Sequence, residues 1–258
     1  MVWWMPSPLG PAPSDRPPAM KVDSIRQDLS LRDRQPEWMD SPELDREHHQ
    51  RALRALARIN FLSFSARRVW ARLRKMATAS GAPLRMLDVA CGGGDVAIAL
   101  KRRAEREGMD LQVHACDLSA DALEFARERA GIRGAKVDFF RLDATNEPLP
   151  GGFDLVCSSL FLHHLSREEG VTLLREMAGA GRSVLIQDLL RSQLGYFMAM
   201  VTVRTITRSP VVRVDGPRSV RAAYSLPEVR SLSDEAGLEG VRVEKCWPER
   251  FALEWEKS

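Results

Sequence analysis

Apolar and polar positions divide the chain into a helical opening and a longer stretch in which short apolar runs alternate with amphipathic ones. Ser41 followed by Pro42 has the form of a helix start, a capping hydroxyl before a residue whose missing N–H costs nothing in the first turn. Leu44, His48, Ala52, Ala55, Leu56 and Ile59 then recur mostly three and four apart, one face of a helix. Leu62, Ala66, Val69, Leu73 and Met76 give a second helix its buried side, and Gly81-Ala82-Pro83 ends it. From Leu84 the period shortens. Apolar runs at 85–90, 111–116, 137–142, 153–158 and 183–187 have strand length, and amphipathic stretches at about 95–107, 119–130 and 166–180 separate most of them. Ser119 reads as an N-cap, and Ser166 with Glu169 and Ser225 with Glu228 as capping boxes. The last two runs, 241–247 and 250–255, are too close for a helical crossover and predict an antiparallel hairpin at a sheet edge.

This alternation predicts an α/β fold, a doubly wound, mostly parallel, seven-stranded Rossmann-like sheet with helices on both faces. Residues 37–80 would form a helical cap and 81–258 the sheet domain. Residues 190–224, less regular, would be an insertion over the sheet's carboxyl edge. Residues 1–36, rich in Pro, Ser, Asp and Arg, are expected to be disordered, and Met20 is an alternative start.

Composition narrows the class. Of 258 residues 44% are hydrophobic and 28% charged, and the net charge of +3 is too weak to indicate nucleic-acid binding. The arginines are dispersed, without a basic stripe. The four cysteines form no CxxC pair and none has a histidine at ligand spacing, so no metal site is expected. Buried thiols and the lack of a credible signal sequence point to the cytoplasm. The longest apolar stretch, 194–206, is too short to cross a bilayer and contains Arg204.

In an open α/β sheet, ligands bind outside the carboxyl ends of the strands, where strand order reverses. The residues there are Asp88 to Gly94, Asp117, Asp143, Ser158 to His164, and Asp188. Four acids on one edge repel one another unless a cationic or hydroxyl-rich ligand joins them. In Leu87-Asp88-Val89-Ala90-Cys91-Gly92-Gly93-Gly94-Asp95 the glycines allow a tight turn, and the next helix offers free N–H groups. A bare βα turn without ligand is the plainer reading, and the acids at 88, 117 and 143 weigh against it. Gly92 to Ala97 also satisfies a loose GxGxxA, which suits a dinucleotide, and Asp117 would hold ribose hydroxyls in either case. Asp88 separates the two: it would repel a pyrophosphate and favour the ammonium and sulfonium end of S-adenosylmethionine.

These segments resemble class I S-adenosylmethionine-dependent methyltransferases of the group similar to ubiquinone and menaquinone biosynthesis methyltransferases. Asp88, Gly92 and Gly94 stand in the places of the family's first motif, with Ala90 where many members have glycine. The resemblance implies a cofactor site of Asp88, Ala90, Cys91, Gly92 and Gly94 on the loop. Asp117 would hold the ribose and Leu118 pack on adenine. Asp143 and Ala144 would lie at the adenine amino group, with Ser159 on the loop after the fourth strand.

The implied activity is methylation of oxygen or carbon on a small apolar acceptor, phenolic, quinone-like or polyketide-like. His164, His163 and Asp188 are candidates for removing a proton, His164 foremost, although a structural role is as natural for each. His48 is expected in the core and His114 inside a strand. Phe61, Phe64 and Trp70 on the cap helices and the Met-rich run at 194–201 would close an adaptable apolar pocket. The run from Arg213 to Arg221 would be a turn that orders the cap or touches the acceptor. A catalytically inactive binding partner, or a nicotinamide-dependent oxidoreductase, remains as an alternative. A nucleic-acid methyltransferase is disfavoured because Ser158-Ser159-Leu160-Phe161 contains no proline.

Overall fold

The computed structural model describes residues 28–257 apart from 42, 43, 63 and 81. Met20 and Pro42, and residues 1–27 of the stretch expected to be disordered, lie outside the described residues. The side chains of Phe61 and Leu62 do too.

Helix α1 (Arg46–Leu62) starts later than its sequence predicts. Ser41 is not its cap. Asp45 Oδ1 accepts the N–H of Glu47 and of His48 at 2.9 and 3.0 Å, adding a negative charge at the positive end of the helix. His48 is bonded to Asp45 through its ring and half-exposed, so it is not a core histidine. Helix α2 (Ser65–Ser80) follows. Then come β1 (Leu84–Val89), α3 (Asp95–Glu107), β2 (Leu111–Asp117), α4 (Ala120–Ile132), β3 (Asp138–Arg141) and β4 (Phe153–Ser159). Next are α5 (Arg167–Ala180), β5 (Gly181–Leu189), α6 (Gln193–Ile206), α7 (Pro210–Ala222), α8 (Leu226–Ala236), β6 (Arg242–Cys246) and β7 (Arg250–Glu256). Ser119 caps α4, and both predicted capping boxes form, on α5 and α8.

The sheet order is β3-β2-β1-β4-β5-β7-β6. The first five strands are parallel, and β7 runs antiparallel to both β5 and β6, as the hairpin predicted. One core layer lies between the sheet and α5 and α8 (Leu174, Met177, Leu232), the other between the sheet and α2, α3 and α4 (Trp70, Ile98, Leu123). Strand order reverses between β1 and β4, which sets the ligand crevice at their carboxyl ends.

The insertion is two helices, α6 and α7, and the Arg213–Arg221 run is helical rather than a turn. Gly216 is required there, because a Cβ on it would lie 2.6 Å from Val203 Cγ1 of α6. Asp215 orders the preceding chain, accepting the N–H groups of Trp38 and Met39 at 2.9 Å each. Residues 28–36 make contacts with the sheet domain. Arg32 stacks over the Tyr224 ring and donates to the His163 carbonyl, and Arg191 donates to the Leu29 carbonyl. Trp70, expected near the sheet edge, is 2% exposed beneath α3, and Phe64 is exposed, so α1 alone of the first two helices covers the crevice.

Candidate active site

A cavity of about 940 Å³ opens at the carboxyl edge of the sheet. One end is built by the loop after β1, the tip of β2 and the turn after β3. The other is walled by α1, α6 and α7 through Leu53, Leu56, Met198, Val203, Val212 and Val220. It is charged at the first end and mostly apolar at the second.

Ala90, Cys91, Gly92, Asp117, Leu118, Asp143, Ala144 and Ser159 all line it, as the sequence predicts. Asp117 Oδ2 accepts the Gly92 N–H at 2.7 Å and Oδ1 the Ser119 N–H at 2.9 Å. These bonds fix the glycine loop to the tip of β2. Leu118 is 52% exposed at the rim. Asp143 accepts from Thr145 and Asn146, and these bonds hold its carboxyl below the usual range despite partial burial. Ala90 and Leu160 have left-handed φ of 55° and 59°, backbone strain concentrated at the crevice.

Two predicted donor-site residues are not at the cavity surface. Gly94 packs beneath it, where a Cβ would meet the Phe139 ring at 2.9 Å. Asp88, one residue short of the strand tip, is 2% exposed and points into the sheet's interior side. It accepts hydrogen bonds from the Ala97 N–H and, at 3.7 Å, the Cys157 thiol. Burial, aided by Asp95, pushes its pKa up to about 7. Asp88 therefore ties the first turn of α3 to the sheet. A raised folded-state pKa means that the charged form burdens the fold. Stability should fall as pH rises from the unfolded value near 3.8 through about 7. Asp88→Asn should relieve this, gaining on the wild type by a few kcal/mol in urea unfolding between pH 4.5 and pH 7.5. A constant difference across that range would contradict the assignment.

Next to the glycine loop, Asp95, one residue after Gly94, does line the cavity. Burial raises its pKa, opposed by Arg129 and by a hydrogen bond from Asn60. Arg250 from β7 is 2% exposed and donates to Ser65 Oγ at 2.7 Å. Burial lowers its pKa to about 10. Its Nε and the Ser159 Oγ are buried polar atoms without a partner. Such orphans at a cavity wall mark where a polar ligand belongs.

The three proton-handling candidates separate clearly. Asp188 is 1% exposed and is absent from the cavity lining. It binds His163 Nδ1 at 2.7 Å and the N–H of His163 and Leu189. Burial alone would lower the His163 pKa, but Asp188 and Glu37 together carry it up to about 10. Asp188 is correspondingly held below its ordinary value, against its own burial. His163 is thus clamped between carboxylates. His164 faces the cavity, its ring 4.2 Å from that of His163. Glu37, from the segment before α1, sits opposite both histidines at 3.6 and 3.9 Å. Sequence reading missed Glu37, Asn60, Asp95 and Arg250. Asp95 adjoins the glycine motif and was within reach of it; the others had no local signal.

Residues 86–183 match the family described as a methyltransferase domain. Demethylmenaquinone methyltransferase of Thermus thermophilus is 35% identical over 129 residues, 49% of this chain and 57% of that protein. Ubiquinone biosynthesis O-methyltransferase of Thiobacillus denitrificans is 31% identical over 159 residues, 60% of this chain and 64% of that one. The match thus spans about half to two thirds of the length of these curated relatives. Among solved structures, magnesium protoporphyrin IX methyltransferase of Synechocystis, with S-adenosylhomocysteine bound, superposes with a TM-score of 0.55 at 18% identity. That superposition covers 76% of this chain and 83% of that one, and it establishes a common fold.

Proposed function

We propose, on the premise that residues 86–183 form a methyltransferase domain, that this chain transfers a methyl group from S-adenosylmethionine to a small apolar acceptor. The acceptor is phenolic, quinone-like or polyketide-like, and its oxygen or carbon is methylated. The observation that carries this reading is the cavity at the carboxyl edge of the sheet, charged beside the glycine loop and more apolar beyond it.

The residues present fit the donor. A carboxylate offers about four acceptor positions; backbone bonds from Gly92 and Ser119 leave room on Asp117 for a ribose diol. Leu118 offers an exposed apolar face for adenine, with Asp143 and Ala144 beside it. Asp95 suits the ammonium of the methionine end. The unpartnered Arg250 Nε and Ser159 Oγ suit its carboxylate and neighbouring polar atoms. When bound, S-adenosylmethionine supplies a methyl carbon activated by the sulfonium.

The protein's own work is orientation and exclusion of water. The walls from α1, α6 and α7 confine an acceptor against the donor end, and such alignment is worth up to ~7–11 kcal/mol in favourable systems. His164 and Glu37 face the region where an acceptor proton is lost. The apolar part of the cavity lining supports a small-molecule acceptor rather than a nucleic acid. No described helix is long and apolar enough to cross a membrane. Cys91, Cys116 and Cys157 are buried free thiols, which supports a cytoplasmic setting.

A melting experiment tests the donor. S-adenosylhomocysteine at 100 times its Kd stabilises by ~2.7 kcal/mol, which for a chain of this size raises Tm by about 5–10 °C. NADH should leave Tm unchanged, and stabilisation by NADH alone would overturn the reading. Mass spectrometry on a panel of phenols, quinols and polyketides should then find one acceptor heavier by a methylene group. Binding without any turnover would favour the inactive-partner alternative.

A further inference from the structure

We propose that Glu37, His163 and His164 form a binding site for a divalent transition-metal ion of the zinc class, open toward the cavity. One carboxylate and two imidazoles converge there, with all their candidate ligand atoms within 4.8 Å of one another. Glu37 Oε1 lies 3.6 Å from His163 Nε2, and Oε2 lies 3.9 Å from His164 Nε2. Those separations are long for hydrogen bonds. They match two ligands sharing one ion, since bonds of about 2.1 Å at tetrahedral angles hold neighbouring donors about 3.4 Å apart.

The surrounding shell has the form that metal ligands require. An imidazole that coordinates through Nε2 is usually fixed by a carboxylate on Nδ1. Asp188 Oδ1 accepts from His163 Nδ1 at 2.7 Å and sets that tautomer. Glu37 is fixed in turn by the Ser219 hydroxyl, and the backbone after it by Asp215 through Trp38 and Met39. The His164 ring lies against that of His163, centroids 4.2 Å apart. Glu37, Asp188 and Asp215 make the surroundings negative. The neighbouring cations, Arg32 and Arg34, are engaged by the carbonyls of His163 and His164, to which they donate.

Three protein ligands leave one position free, and all three line the cavity. Open sites of this kind belong to metals that meet a substrate. A hydroxyl of the acceptor placed there would lose its proton more readily, because the ion stabilises the oxyanion. His164 then acts as a ligand, and the proton leaves to solvent. This consequence rests on the transfer reading; the ion site itself does not.

Cobalt(II) provides the test. The full chain, freed of metal by a chelator, is titrated with Co²⁺ in the presence of a non-coordinating buffer while visible absorption is followed. The expected result is one equivalent bound, with d–d bands that Zn²⁺ abolishes. Glu37→Gln and His164→Ala should each weaken Co²⁺ binding at least tenfold while circular dichroism and the S-adenosylhomocysteine melting shift persist. Asp188→Asn should weaken it ~10–100-fold through the orientation of His163. No stoichiometric binding, or binding unmoved by both Glu37→Gln and His164→Ala, overturns the site. The melting shift in metal-free protein keeps its failure distinct from failure of the methyltransferase reading.

Discussion

Replacing Asp117 by alanine should reduce the affinity for S-adenosylhomocysteine by on the order of 10²–10³-fold. Hydrogen bonds to a charged group contribute ~1.5–3 kcal/mol each, and a ribose diol can make two of them to this carboxylate. The side chain also holds the glycine loop through Gly92 and caps the turn at Ser119, so the loop loses its tether at the same time. Isothermal titration of wild type and variant measures the loss. Circular dichroism and the ligand-free melting point report whether the sheet survives, as it should, since Asp117 lies at a strand tip and outside both core layers. An affinity within threefold of wild type would remove Asp117 from the donor site and the proposed binding mode with it.

Gly94→Ala should destabilise the protein by about 2–5 kcal/mol. Two costs combine. A left-handed φ of 66° costs an L-residue roughly 1–2 kcal/mol, and forcing a methyl group into packed surroundings adds about 1–3. The second applies because the added Cβ would lie 2.9 Å from the Phe139 ring and 3.0 Å from the Ala126 Cβ, and neither can swing aside. Gly92→Ala is the control. Its φ of 52° carries the same backbone cost, but the nearest atom is Leu53 Cδ2 at 3.9 Å. Urea unfolding should therefore separate the two variants by the packing cost alone. Equal losses would mean that α4 does not press on the loop as described.

The sequence made the sheet legible because its strands are short apolar runs bounded by capping residues and glycines, signals contained within a few positions. The cavity-lining positions Gly92, Asp117, Leu118, Asp143 and Ser159 were legible for the same reason: each sits at or just after a strand end that the pattern located. Asp88 misled because the pleat alternates. One residue before the tip, its side chain faces a helix, where the sequence offers no way to tell a buried acid from an exposed one. The His163–Asp188 pair was invisible as a pair, since it forms only because β4 and β5 are neighbours. Residues 28–36 belong to a stretch whose Pro-, Ser-, Asp- and Arg-rich composition predicts disorder, and composition gives no sign of the carbonyls and tyrosine ring that its arginines meet from other parts of the chain. Glu37, Asn60 and Arg250 reach the cavity from places with no motif at all. The wall opposite the donor residues was the hardest part to foresee, because it is assembled from three distant stretches of chain.

That assembly constrains how the molecule can diversify. The roof is stitched from residues that precede the sheet and from the two helices inserted late in it, joined where Asp215 grips Trp38 and Met39 and where Gly216 lets α7 settle on Val203. Neither piece can be exchanged alone without leaving the other's clasp ungripped. A graft intended to give this scaffold a new guest would have to import both stretches from one parent.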